Sequence, residues 1–335
     1  MKAYIGHPLQ VSGVTEYRLT GGKGDGMRML RVRNGKGLDF EISLDRCGDI
    51  VTMNIDGINM GYLAPCGYVH PAYYNNRGTE FLKSFTAGFF TTCGLTAVGS
   101  PCVDDGEELP LHGTVSHIPC EQFSYEETET ELLIHIQVRD ASLFSHQLLM
   151  VRTYIVSKEE NLVKLSDTIV NIGAKESPLL LMYHCNMGYP LLTEQTEVVI
   201  PSDSVTARNA HAQEDIQNCL KMEVPQKDYE ERCYYHDIRE KNGIGCTGLY
   251  NPLIEKGLSI CYNKGTLGFF TQWKMMGDRE YVLGLEPGNC TPDGRDVMRK
   301  NGTLTILQPD DTYKTELTFR FYRDQQRFKE EVSCW

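Results

Sequence analysis

Alternation of apolar and polar residues at a period of two runs through most of this chain. LDFEISLDR (38–46), ELLIHIQVRD (131–140), QLLMVRTYIV (147–156) and NLVKLSDTIVN (161–171) carry it. So do EKGLSICYN (255–263), LGFFTQWK (267–274), REYVLGLEP (279–287), GTLTILQP (302–309) and YKTELTFRFYR (313–323). Successive strand side chains point to opposite faces, so such runs build sheets with a buried face. Turn clusters punctuate them: NGKG at 34–37, DGIN at 56–59, NKG at 263–265 and PDDT at 309–312. Helical periodicity is confined to short stretches around 76–84 and 208–219. This succession of strands predicts an all-β fold, an oversized antiparallel β-sandwich. No Ser/Gly/Pro-rich linker interrupts it, so residues 1–335 are expected to form one domain.

A net charge of −12 argues against nucleic acid, which needs a basic surface, and disfavours anionic membranes. No apolar run approaches the roughly 18 residues of a membrane span. The start, MKAYIGHPLQVSG, lacks the apolar core of a signal peptide, so a cytoplasmic protein is expected. The 12 cysteines are scattered singly without a C-x-x-C pair, and are expected to be free thiols. The acidic stretch VDDGEEL (103–109) reads as a solvated loop. Asp45, Arg46 and Asp49 cluster after a strand and read as an internal salt bridge.

Two apolar runs each deliver one ionisable residue before a Gly/Pro break. LLLMYHCNMGYPLL (179–192) carries His184, and YVLGLEPGNCTPDGR (281–295) carries Glu286. An ionisable side chain is costly inside a strand unless it has a partner or a task. A histidine and a carboxylate on rigid strands make an acid–base pair. Alternation places His184 and Asn186 on one face, with Tyr183, Cys185 and Met187 on the other. Glu286 shares a face with Gly284, whose missing side chain leaves room for a ligand against the sheet. Trp273, in FFTQWK, offers a platform for the C–H face of a sugar.

In LPLHGTVSHIPC (109–120), His112 ranks above His117 because Gly113 lets the backbone approach a ligand closely. The segment 75–101 is rich in small residues and carries Arg77 and Lys83, cationic donors for hydroxyls or a carboxylate. There is no G-x-S-x-G elbow, P-loop or H-E-x-x-H.

FTAGFFTTCGL, LPLHGT, MYHCNMGYPLL and QWK followed by GLEPGNCTPDGR occur in this order between residues 40 and 320. Together they resemble the galactose mutarotase-like (aldose 1-epimerase-like) superfamily, in its bacterial branch labelled a domain of unknown function. The resemblance implies a β-supersandwich with a shallow sugar cleft on one broad sheet. It implies His184 as general acid, Glu286 as general base and His112 as the second histidine, which holds the ring. Arg77 and Lys83 would hold hydroxyls, and Asn186 and Trp273 would line the cleft. The surroundings of His184, YHCNMGYP, depart from those of true mutarotases.

The expected reaction is anomer exchange: Glu286 takes the O1 proton, His184 protonates the ring oxygen, and closure reverses the roles. It calls for no cofactor or metal, and for a small sugar or sugar derivative as partner. A homodimer is left open. Two alternatives stay open: a non-catalytic carbohydrate-binding protein on the same fold, and a lyase acting on a sugar acid. A glycosidase fits less well, since it wants two carboxylates flanking the bond.

Overall fold

The computed structural model describes residues 2–335. Strand takes up 49% of the residues and helix 12%, as the alternation predicts. Among the described residues, the strands form a nine-stranded, a seven-stranded and a five-stranded sheet, with two small two-stranded pairs. The nine-stranded sheet follows the order Gln122–Glu127, Glu131–Ala141, Gln147–Ser157, Leu162–Asn171, Thr312–Tyr322, Lys256–Asn263, Ile244–Asn251 and Glu197–Val199, with Glu240–Lys241 at its margin. The seven-stranded sheet runs Ser202–Ala207, Arg232–Ile238, Phe269–Gly277, Glu280–Gly288, Ser177–Met187 and Thr305–Leu307. Phe90–Leu95 also pairs with Ser177–Met187. The five-stranded sheet comes from residues 13–59.

One core joins all three sheets. Phe40 and Met53, Ile134 and Phe319, and Leu181 and Leu285 belong to the same buried cluster. Ser177–Met187 is buried on both faces. Its odd-numbered residues, Leu179 to Met187, enter the main core. Leu180 and Met182 on the other face pack with Cys93, Val98, Cys290 and Met298. That double burial explains a nearly continuous apolar run, and it makes the second face the place where His184 and Asn186 emerge.

Several local expectations are corrected. The helical stretches are smaller than their patterns: a 3-10 turn at Glu80–Lys83, an α-turn at Ala210–Gln213 and a 3-10 turn at Ile216–Asn218. VDDGEEL is a hairpin, and its Asp104 is buried against Arg295 and Arg299, both at 2.7 Å. Asp45 and Asp49 pair with distant arginines, Arg28 and Arg152, each at 2.7 Å, and not with Arg46. Arg46 bonds the Val69 carbonyl and His117. Cys246 and Cys261 are not free thiols. They stand opposite each other on adjacent strands, with Cα atoms 4.1 Å apart, and form a disulfide. Their separation of 15 residues hid a hairpin contact. Ten further cysteines are free thiols among the described residues. No helix is long and apolar enough to cross a membrane among the described residues.

Candidate active site

Register builds the centre of the site. Ser177–Met187 pairs Cys185 with Leu285 and Asn186 with Gly284, which sets His184 opposite Glu286. On the far side, Thr271 pairs with Glu286 and Trp273 with Gly284. Three neighbouring strands thus present His184, Glu286 and Trp273 on one face. His184 Nε2 lies 3.3 Å from Glu286 Oε1, and the two residues are 5% and 3% exposed. At that distance no ligand fits between the two side chains.

Asn186 orients the histidine. Its Nδ2 donates to the carbonyls of His184 at 2.8 Å and Ala87 at 3.3 Å. That turns Oδ1 toward His184 Nδ1, 2.7 Å away. The amide oxygen can only accept, so Nδ1 carries a hydrogen and Nε2 is the nitrogen that faces Glu286. Asn186 is fully buried and supports the site from below. Burial lowers the His184 pKa to about 4. Burial also raises that of Glu286, with the Glu231 charge adding to it and Arg208 opposing.

His112 completes the set, its ring centroid 5.5 Å from that of His184. It adopts a left-handed backbone, φ 57°, held by bonds from His112 N to Gly99 O and from Gly94 N to His112 O. Gly99 N–H donates to Nδ1 at 3.4 Å, which leaves a hydrogen for Nε2 in the neutral ring. Burial holds this ring well below the ordinary histidine range, with His184 and Arg208 adding to the effect. Gly113 is required by protein, not ligand: a Cβ there would lie 2.2 Å from Gly94 O.

A cleft of about 320 Å³ lies over this group, lined by His112, His184, Glu286, Thr271 and Trp273 with Phe81, Phe85, Arg208 and Glu231 among others. That is at the small end of the roughly 300–1,000 Å³ usual for small-molecule sites. Phe85 and Trp273 stand edge-on to His184, each at 5.3 Å. A larger hollow of about 580 Å³, by Arg239, Arg327 and Trp335, shares no residue with the cleft and contains no histidine.

The structure leaves Arg77 and Lys83 outside the cleft, and Asn186, expected to line it, lies beneath it. Arg77 is exposed. Lys83 points to Glu80 at 2.7 Å and its side chain is 73% exposed. His117 is buried elsewhere, stacked on Tyr74 at 3.8 Å and bonded to Arg46 and Ser84. The cleft cation is Arg208, which the sequence reading missed. It is held by Asp293 at 3.2 Å, Ser100 Oγ at 2.8 Å and Pro292 O at 2.9 Å. Tyr235 donates to the same Asp293 oxygen at 2.6 Å. Glu231, also missed, accepts the Trp273 indole N–H at 2.6 Å. Among the described residues, no group of three His, Cys, Asp or Glu side chains is placed to hold a metal ion.

Residues 24–321 match a family described as a domain of unknown function, DUF4432. The chain belongs to this family. No curated protein matches the DUF4432 chain. Solved structures do. One is a candidate aldose 1-epimerase from Klebsiella pneumoniae, 22% identical, TM-score 0.89, over 97% of this chain and 91% of that one. Another is a galactose mutarotase-like protein from Clostridium acetobutylicum, 13% identical, TM-score 0.66, over 93% and 99%. A third is the galactose 1-epimerase of Lactobacillus acidophilus, 11% identical, TM-score 0.62, over 94% and 100%. At these identities the likeness establishes the fold: this DUF4432 chain is a galactose mutarotase-like antiparallel β-sandwich.

Proposed function

We propose that this DUF4432 protein interconverts the anomers of a sugar or sugar derivative by acid–base ring opening. The observation that carries the reading is the 3.3 Å contact between His184 Nε2 and Glu286 Oε1 beneath a sugar-sized cleft. Ring opening removes a proton from O1, breaks the bond from C1 to the ring oxygen and protonates that oxygen. One member of the pair takes the first proton while the other gives the second. Rotation about C1–C2 and reversal of the transfers produce the other anomer. The protein supplies two proton carriers and a fixed ring. His112 Nε2–H is a donor for a sugar oxygen, Arg208 and Glu231 offer a donor and an acceptor for hydroxyls, and Trp273 offers an apolar face.

The test is anomer exchange measured by NMR saturation transfer on a panel of aldoses, deoxy sugars and uronic acids. Acceleration by the wild type on at least one sugar, lost in Glu286→Gln, is the expected result. Binding without acceleration on every sugar would sink the proposal and leave a carbohydrate-binding protein. Arg208 in the cleft gives the sugar-acid lyase a cation for a carboxylate, so the uronic acids are also followed for an unsaturated product by ultraviolet absorbance.

A further inference from the structure

The hydrogen bonds around the pair determine where its proton rests. Asn186 Nδ2 has two carbonyl acceptors, so its Oδ1 faces Nδ1 and requires a hydrogen there. Nε2 therefore has a lone pair toward Glu286 unless the ring is charged. Glu286 Oε1 is buried and has no hydrogen-bond donor among the described residues unless His184 supplies one. Among the described residues no backbone N–H group or cation is hydrogen-bonded to this carboxylate, and ionising a carboxyl group only 3% exposed is costly.

The neighbours reinforce this. Glu231 opposes ionisation of Glu286 and Arg208 favours it, but Arg208 is already paired with Asp293. His112 is held neutral beside His184. Cys93, Cys185 and Cys233, which lie near Glu286, are thiols that burial keeps protonated. An imidazolium–carboxylate pair and a neutral pair are both compatible with the 3.3 Å contact of Nε2 and Oε1, but only the neutral pair avoids two buried charges.

We propose that the free site stores one proton on Glu286, donated to Nε2 of a neutral His184, with Asn186 as the positioning residue that fixes the Nδ1–H tautomer. The starting roles are then opposite to those the family resemblance implies. As the ring opens, the O1–H bond breaks and Nε2–H forms, while the O1 electrons make the C1=O1 bond. The bond from C1 to the ring oxygen breaks, and that oxygen takes the Glu286 proton. The open-chain aldehyde faces an imidazolium–carboxylate pair, and Asn186 Oδ1 stabilises the new imidazolium through Nδ1–H. Closure restores the neutral pair. This use in catalysis rests on the anomer-exchange reading; the resting state does not.

The test is long-range proton–nitrogen NMR of protein labelled with nitrogen-15 histidine, from about pH 6 to 8, around the ordinary histidine pKa. His184 is assigned by the signals missing from His184→Gln. The expected spectrum has one protonated nitrogen, Nδ1, and one unprotonated nitrogen, Nε2, unchanged across the range. Two protonated nitrogens at neutral pH, or an unprotonated Nδ1, would overturn the proposal. Asn186→Asp places an anion on Nδ1 and is expected to convert His184 to the doubly protonated form, whereas Asn186→Leu is expected to give a mixture of tautomers. A single unchanged Nδ1–H tautomer in Asn186→Leu would remove Asn186 from the role. No sugar enters this measurement, so absence of anomer exchange with the expected spectrum defeats the functional reading alone.

Discussion

The space beside Gly284 is occupied by the carboxyl group of Glu286. A Cβ on residue 284 would lie 2.2 Å from Glu286 Oε1 and 2.9 Å from Trp273 Cβ. The glycine, expected to make room for a ligand, makes room for the acid–base residue itself. Gly284→Ala should therefore displace the carboxyl group and the indole together. Small-to-large changes in a packed site cost about 1–3 kcal/mol, and a 1 Å misplacement of a reacting group costs about a hundredfold in rate. The expected outcome is a folded protein with slightly lower urea resistance and anomer exchange down about a hundredfold. Exchange at the wild-type rate would show that the position of Glu286 does not matter.

Glu286→Gln and His184→Ala should each lower exchange by about 10²–10⁴-fold, the usual range for a general acid or base. Because the two act as a unit, the double variant should be little worse than either single one. Multiplying effects, seen in initial exchange rates at saturating sugar, would separate the residues into independent roles. Stability carries a second signature. The folded pKa of Glu286 is raised above the ordinary 4.5, so the unfolded chain releases this proton first. The residue destabilises the fold progressively as pH rises above 4.5. Glu286→Gln should thus be at least as stable as wild type at neutral pH, with the difference shrinking toward pH 4.5 in denaturant titrations.

The alternation made much of this legible. Side chains on strands have only two directions, so His184, Asn186 and Glu286 could be assigned to faces from spacing alone. The structure brings His184 and Glu286 together because the register follows from the same strands. Arg208 and Glu231 lie just outside strand ends, after Ala207 and before Arg232. Their direction depends on how two loops fold over the sheet, and no periodicity records that. The one local signal was Asn209, a helix N-cap that follows Arg208 and starts a turn right after the strand. Arg77 and Lys83 failed for the same reason, since a cation in a loop or at the end of a single 3-10 turn has no face set by alternation. The disulfide was hidden because the pairing of Cys246 with Cys261 is a cross-strand relationship.

The buried neutral histidines should weaken the fold in mild acid. Burial lowers the pKa of His112 and His117 well below the ordinary 6.5, and takes His184 and His236 to about 4. The unfolded chain binds these protons first, so their contribution to stability is intact above pH 6.5 and is lost as pH falls from 6.5 to about 4. His236 sits between Ser202 Oγ and Gln272 Oε1, each at 2.9 Å, away from the cleft. His236→Gln should make the decline of unfolding free energy with falling pH shallower by up to one proton. Wild type and His236→Gln losing stability in parallel across this window would contradict the burial of His236 as a neutral group.

Behind the site, Arg152 holds the sheets together through charge. Its guanidinium is fully buried and bonds Asp167 at 2.7 and 2.9 Å, Asp49 at 2.7 Å and Thr92 Oγ1 at 2.8 Å. Tyr183, adjacent to His184 in the chain, donates to the same Asp167 at 2.7 Å. Arg152→Met keeps most of the volume and leaves two carboxylates in the core without their cation. Removing one partner of a buried pair costs about 3–5 kcal/mol, and here both Asp167 and Asp49 lose theirs. The loss should be largest near neutral pH and smaller in mild acid, where the stranded carboxylates can take up protons. Chemical denaturation of the variant at both pH values checks this. A loss under about 1 kcal/mol, the range of exposed pairs, would mean that packing and not charge holds this part of the core.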